Sequence, residues 1–304
     1  MKLEGLHHIT MITGNAQANV DFYAGTLGLR FVKKTVNFDQ PEAYHLYFGD
    51  ERGAPGSILT WFEFAGARPG RAGEGMVHLI ELGVPSAASL DFWQERLQAA
   101  GTETARTEDG LAFEDFEGLG LKLVVATPGN PPLQAQHPEV PAEHAITGVE
   151  GVRAYATQVA PDLLRETLGF TPEGEHAWVV KGDERQVRWA YDAAPGRGIP
   201  GAGTVHHIAF ASRDEDHLQW QSRLRESGAQ VTDVRDRDYF DAIYFREPSG
   251  VLFELATLSP GFAVDEDADH LGEALRLPKQ HEHLRDHLEA SLTQIRNPRA
   301  EATA

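Results

Sequence analysis

Four times along the 304 residues the same order of apolar and polar positions recurs: a short apolar strand, an amphipathic helix, a glycine, then several more strands. In the first segment a strand over 6–13 leads to a helix over 16–27. Its apolar Val20, Tyr23 and Leu27 fall at i, i+3 and i+7, and Gly28 ends it. Strands over 30–37, 44–48 and 57–62 follow. The second segment has a strand over 76–84, a helix over 87–100 with Leu90, Trp93 and Leu97 on one face, then Gly101 and strands near 111–116 and 121–126. The third reads as a strand over 151–158, a helix over 161–168, Gly169, and strands near 177–181 and 186–192. After a glycine- and proline-rich run over 195–203, the fourth has a strand over 205–211, a helix over 215–226, Gly228 and a closing apolar run over 251–255.

The repeat is visible in residues as well as in pattern. Thr26-Leu27-Gly28-Leu29 matches Thr167-Leu168-Gly169-Phe170, and Trp93-Gln94-Glu95-Arg96-Leu97 matches Trp220-Gln221-Ser222-Arg223-Leu224. Odd segments resemble odd and even resemble even, which duplication of a two-segment unit would leave. The expected class is α+β: four βαβββ modules forming two cup-shaped mixed β-sheets with outer helices, plus a C-terminal helical tail. Residues 128–143 are rich in proline and polar side chains and read as a linker. The expected division is a first domain over 1–130 (modules one and two), a linker over 131–144, a second domain over 145–258 (modules three and four) and a tail over 259–304. Leu284, Leu288 and Leu292 at i, i+4 and i+8 predict a tail helix over 282–295 that packs across the strands, with the last few residues frayed.

Composition narrows the partners. A hydrophobic content of 41% with 24% charged residues is that of a soluble globular protein. Lys plus Arg is 27 and Asp plus Glu 46, a net charge of −19, which argues against nucleic acid and anionic membrane surfaces. The absence of cysteine excludes disulfides, thiolate metal sites and cysteine nucleophiles. No signal-peptide core opens the chain and no apolar run reaches membrane-spanning length, so the cytoplasm is the expected location.

The chemistry concentrates in two histidine pairs and one glutamate. His7-His8 and His206-His207 each interrupt an apolar strand, and Glu254 stands inside the run Val251-Leu252-Phe253-Glu254-Leu255. A carboxylate in such a strand is costly unless something pairs with it. Two histidines and one carboxylate make the ligand set of an open-sided iron(II) site. Module two offers only His78-Leu79 at the paired position, and module three has no histidine there. Four residues after the matching glycine, the place of Glu254 is held by Thr60 and Val124. The pair and the carboxylate therefore single out modules one and four.

The segments LHHIT, TVHHIAF and IYFREPSGVLFELAT resemble the vicinal-oxygen-chelate superfamily (glyoxalase, bleomycin-resistance and extradiol-dioxygenase proteins) and, more narrowly, its hydroquinone-type ring-cleaving dioxygenases. The resemblance covers nearly the whole chain, including YHLYFGD over 44–50 and HLGEALRLP over 270–278. It implies that His8, His207 and Glu254 hold iron(II), that modules one and four share one cup, and that the substrates are a small aromatic diol and O₂. Manganese(II) accepts the same ligands, whereas zinc or nickel in a crystal would suggest substitution. Each ligand must be deprotonated to bind, so activity is expected to fall in acid. Association into a homo-oligomer stays open.

The resemblance also implies pocket roles for His7, Thr10, His206, Arg237 and Tyr244. Thr10, two residues from His8, shares its face. Alternation turns His7 and His206 the other way, so either a bulge re-aims them or they support the sheet from behind. Tyr244 is a candidate for acid-base transfer or an ordinary strand tyrosine. Arg237, in Asp233-Val234-Arg235-Asp236-Arg237-Asp238, is a pocket cation or a solvated surface pair. His45 is a further pocket candidate. His270, His281, His283 and His287 read as a solvated face, and Glu247 as a turn residue. Two other readings compete: a glyoxalase-like isomerase or thiol transferase, disfavoured because Thr60 is not a carboxylate, and a metal-free ligand-binding protein.

Overall fold

A computed structural model describes residues 1–298, and the frayed end expected at the last few residues lies outside them. Module one contributes strands β1 (Leu3–Thr13), β2 (Arg30–Val36), β3 (Tyr44–Gly49) and β4 (Ile58–Glu63). Module two contributes β5 (Met76–Val84), β6 (Thr104–Arg106), β7 (Gly110–Glu114) and β8 (Gly120–Val125). Module three has β9 (Val149–Ala156), β10 (Thr171–Pro172), β11 (Ala177–Lys181) and β12 (Gln186–Ala193). Module four has β13 (Thr204–Ser212), β14 (Arg235–Asp236), β15 (Phe240–Arg246) and β16 (Leu252–Pro260).

In every module the closing strand lies parallel to the opening one: β4 on β1, β8 on β5, β12 on β9 and β16 on β13. A parallel pair needs a crossover, and the helix between them supplies it while covering the outer face. Helix α1 (Ala16–Val20) runs on as a wider π-turn over Asp21–Thr26, so the predicted first helix forms with a loosened second half. Helix α2 (Ala87–Ala99) follows the predicted face, with Leu90, Trp93 and Leu97 buried, and α3 (His217–Glu226) buries the matching Trp220 and Leu224. A short π-turn over Leu163–Thr167 serves the third module. Gly28, Gly101, Gly169 and Gly228, the four predicted stops, all have positive φ, which glycine adopts without a Cβ penalty.

Two eight-stranded sheets result, in the orders β14-β15-β16-β13-β1-β4-β3-β2 and β10-β11-β12-β9-β5-β8-β7-β6. At the centre of the first, β1 runs antiparallel to β13, and at the centre of the second β5 runs antiparallel to β9. Modules one and four therefore build one cup, and modules two and three the other.

The tail closes over the first cup only, among the described residues. Phe262 and Leu271 bury themselves inside the first cup with Val32, Tyr47, Tyr239 and Phe240. Lys33 is fully buried there. Its Nζ lies 2.6 Å from Asp265 Oδ1, also pairs with Glu266, and stands 4.9 Å above the Tyr239 ring. Gly272, at φ +78°, passes so close to β2 that a Cβ would meet the Phe31 carbonyl oxygen at 2.1 Å. The tail helix begins earlier and ends sooner than the leucine spacing predicts: a 3₁₀ turn over Lys279–Leu284 leads into α4 (Arg285–Ser291). It packs across module one through Leu288 and Leu292, and Tyr44 donates to the Thr293 carbonyl at 2.9 Å.

Candidate metal centre

His7 and His8 come from β1, and His206 and His207 from its neighbour β13. The ladder between them shows where each member of the two pairs sits. Leu6 pairs with Phe210 and His8 with Ala209, so His7 is an extra residue in β1. Thr10 pairs with His207 and Met11 with Val205, so His206 is an extra residue in β13. Each bulge turns its histidine beside its neighbour instead of behind the sheet. His7 Nδ1 then lies 2.9 Å from His8 Nδ1, and His206 Nδ1 lies 2.8 Å from His207 Nδ1.

These contacts choose a tautomer. A ring N–H of the buried His7 donates to the Thr257 carbonyl, which leaves its Nδ1 lone pair to accept from His8 Nδ1–H. Burial, and then the adjacent His8, pushes the His7 pKa down to about 3, so it stays neutral and able to accept. His8 Nε2 is thereby left with a lone pair, aimed at Glu254 Oε2 3.4 Å away and at His207 Nε2, also 3.4 Å away. His207 Nε2 lies 2.8 Å from Glu254 Oε2. Burial also holds His207 below the ordinary histidine value. His206, by contrast, is only partly buried.

Glu254 sits in β16, opposite Ala209 of β13 on one side and Tyr244 of β15 on the other. It is completely buried, and neither carboxylate oxygen accepts a hydrogen bond of normal geometry. Burial alone would raise its pKa, but His8 and then His207 outweigh that and hold the carboxyl well below its usual range. One ligand atom from each of His8, His207 and Glu254 falls within a 4.8 Å cluster, the only such group among the described residues. Lone pairs converging beside an unsatisfied buried carboxylate fit a divalent cation with nitrogen and oxygen ligands. The second sheet lacks this constellation. Its bulges fall at His78 and Glu150, and the positions of His8, His207 and Glu254 are held by Leu79, Gly151 and Ala190.

A small cavity opens on the centre. Phe38, Phe62, Phe240, Tyr47 and Tyr244 form its aromatic walls, with Asn37, Asp39, His45 and Arg237 as further polar lining. Arg237 has one edge in each world that its sequence allowed. Its Nε donates to Tyr244 Oη at 3.3 Å, while Nη2 pairs with the exposed Asp39 at 3.4 Å. The guanidinium also stands 5.3 Å over the Phe38 ring, a cation–π contact at the mouth. From the tail, Gln280 Nε2 donates to the Phe38 carbonyl at 2.8 Å, and His281 Nε2 lies 2.8 Å from the same oxygen. Burial, and then Glu254, keeps Tyr244 protonated far above the ordinary phenol range.

Thr10 shares the side of His8 but does not line the cavity. Its Oγ1 lies 3.0 Å from Thr60 Oγ1, which is 2.8 Å from His45 Nε2, and His45 Nδ1 is 2.8 Å from Tyr47 Oη. His45 is held neutral by burial and then by the nearness of His8 and His207. Sequence reasoning found His45 and passed over Tyr47, although two-residue alternation in β3 puts them on one face. Glu247 is a turn residue, accepting from the backbone of Ser249 at 2.9 Å and of Val251 at 3.2 Å. His270 pairs with Glu273 on the surface, and no tail histidine joins a metal cluster among the described residues.

Comparison with known proteins agrees with this architecture. The model of the Glyoxalase/Bleomycin resistance protein/Dioxygenase superfamily matches residues 5–128 and 116–255. The chain belongs to that superfamily. It is 44% identical over 302 residues to MhqO of Bacillus subtilis (strain 168), provisionally named a ring-cleaving dioxygenase, covering 96% of both chains. It is 34% identical to the chlorohydroquinone/hydroquinone 1,2-dioxygenase of Sphingobium indicum, covering 94% of this chain and 95% of that one. A crystal structure from Bacillus subtilis, provisionally named a dioxygenase, superposes with a TM-score of 0.91 at 41% identity, covering 97% of this chain and 98% of that chain. Glyoxalase I from Zea mays shares the fold at TM-score 0.59 and 13% identity, over 83% of this chain and 92% of its own.

Proposed function

We propose that this superfamily member is a ring-cleaving dioxygenase that uses iron(II) and O₂ to open hydroquinone-like aromatic diols by extradiol-type chemistry. The observation that carries the reading is the buried His8–His207–Glu254 cluster on the floor of a small aromatic-walled cavity. The names of the relatives MhqO and the hydroquinone 1,2-dioxygenase support it. Iron(II) held by two imidazoles and one carboxylate would leave a face free for a ring oxygen and O₂ and would supply the redox chemistry. Manganese(II) suits the same donors.

The chain's own side chains have separable tasks in this reading. His7 and His206 fix the ring orientation and tautomer of the two ligand histidines. Phe38, Phe62 and Phe240 stack on or wedge the substrate ring and exclude water. Tyr244, a phenol held protonated beside Glu254, donates to the ring oxygen nearest the centre, and Arg237 balances negative charge on that oxygen. Thr60 in place of a fourth carboxylate ligand disfavours isomerase and thiol-transferase chemistry.

Oxygen uptake tests the reading directly. Protein loaded anaerobically with iron(II) is offered hydroquinone, methylhydroquinone and catechol, and a manganese(II)-loaded sample runs in parallel. The expected result is uptake with a ring-opened chromophore for the para-diols, lost in Glu254→Ala. One tightly bound iron per chain with no uptake on any diol would overturn it.

A further inference from the structure

The first sheet carries an approximate internal two-fold axis between β1 and β13. His8 faces Ala209 and His207 faces Thr10, so the axis relates His8 to His207. It carries the pair Thr60–Tyr47 of β4 and β3 onto Glu254–Tyr244 of β16 and β15, since Tyr47 registers with Thr60 as Tyr244 registers with Glu254. Both tyrosines line the one cavity. Their surroundings differ because the carboxylate belongs to one half only. Tyr244 is tied to Arg237 beside Glu254, while Tyr47 is tied to His45, and His45 in turn to Thr60 and Thr10.

From this arrangement we infer that Tyr47 is a specificity residue that hydrogen-bonds the second, distal hydroxyl of a para-diol. The inference rests on the function proposed above and names the group that selects its substrate class. Both ring nitrogens of His45 are occupied, Nδ1 by Tyr47 and Nε2 by Thr60, so His45 has no atom left for a ligand. It is a positioning residue. Tyr47 is bonded at one end only and is 1% exposed, so its oxygen retains hydrogen-bonding capacity that only the cavity can satisfy.

The chain of bonds also runs in either direction. With Tyr47 donating to Nδ1, His45 donates from Nε2 to Thr60 and Thr60 to Thr10, and the phenol oxygen offers the cavity an acceptor. Reversed, Thr10 donates to Thr60, Thr60 to Nε2 and Nδ1–H to Tyr47, and the phenol offers a donor. A ring with one hydroxyl at the three-residue centre and another across the ring meets a phenol at each end. A ring with adjacent hydroxyls leaves Tyr47 without a partner, and a site with an unpaired buried polar group rejects the analogue lacking that group.

Anaerobic titration of the iron(II)-loaded protein by calorimetry compares hydroquinone with phenol, which keeps the proximal hydroxyl and lacks the distal one. Tyr47→Phe keeps the ring that packs 5.0 Å from Phe262 and removes only the oxygen. The expected result is hydroquinone weakened about tenfold, about 1.4 kcal/mol, with phenol unchanged. Tyr244→Phe should instead weaken both ligands alike, because both retain the proximal hydroxyl. Equal weakening of both ligands by Tyr47→Phe, or no change in either, overturns the inference. Because binding is read without turnover, absence of oxygen uptake by wild type sinks the dioxygenase reading while the affinity ratio still tests Tyr47.

Discussion

Replacing Glu254 by leucine separates a metal ligand from a structural ion pair. In the metal-free chain the carboxylate is fully buried and neither oxygen has a normal hydrogen bond. His8 and His207 compensate it electrostatically only to the extent that they carry a proton, and burial opposes that in His207. An unsatisfied buried group costs about 1–3 kcal/mol, and more when ionised. Leucine is close in size and pays no such penalty, so metal-free Glu254→Leu should be more stable than wild type by about 1–3 kcal/mol. For a chain of this size each kcal/mol moves Tm by about 1.5–2 °C. Metal should reverse the order. At a free concentration a hundredfold above Kd it stabilises the wild type by about 2.7 kcal/mol, and the variant by nothing. Scanning calorimetry with chelator, with manganese(II) in air and with iron(II) under argon reads both effects. A metal-free variant less stable than wild type by more than about 1 kcal/mol would refute the reasoning, because the three groups would then be holding each other.

Two other expectations concern the frame around the site. Glu266→Gln leaves the buried Lys33 with Asp265 as its remaining carboxylate partner and should cost about 2–4 kcal/mol in urea unfolding; Lys33→Met combined with Glu266→Gln should recover most of it, and an unaltered single variant would show that the tail contact carries no stability. His217 is buried against Ser212 Oγ at 2.8 Å and burial lowers its pKa, so below the unfolded value of about 6.5 the unfolded chain binds more protons than the folded one. Stability should therefore fall as pH drops from about 7 to 5, and His217→Gln should flatten that part of the curve; parallel curves for variant and wild type would reject the assignment.

Much of this protein follows from the order of its residues alone. The fourfold recurrence of strand, helix and glycine is a local pattern, because side-chain periodicity and backbone freedom act over a few residues. Trp93 fell on the buried helix face that spacing assigned it, and Trp220, its counterpart in the repeat, is buried as well. His8, His207 and Glu254 were legible because a buried carboxylate and paired imidazoles are costly exceptions in apolar strands, and the repeat showed which modules carried them. Local pattern did not reach the π-turn of the first helix, the early start of the tail helix, or the short strands β6, β10 and β14. Nor could it choose between the two orientations of His7 and His206. One extra residue in β1 and one in β13 decided that, and a bulge exists only relative to the strand it pairs with. The same holds for the closing of one cup by Phe262 and Lys33's carboxylates, and for the line from Thr10 to Tyr47. Each depends on inter-strand register and on segments as much as two hundred and thirty residues apart, so it is settled only when long-range packing brings those segments together.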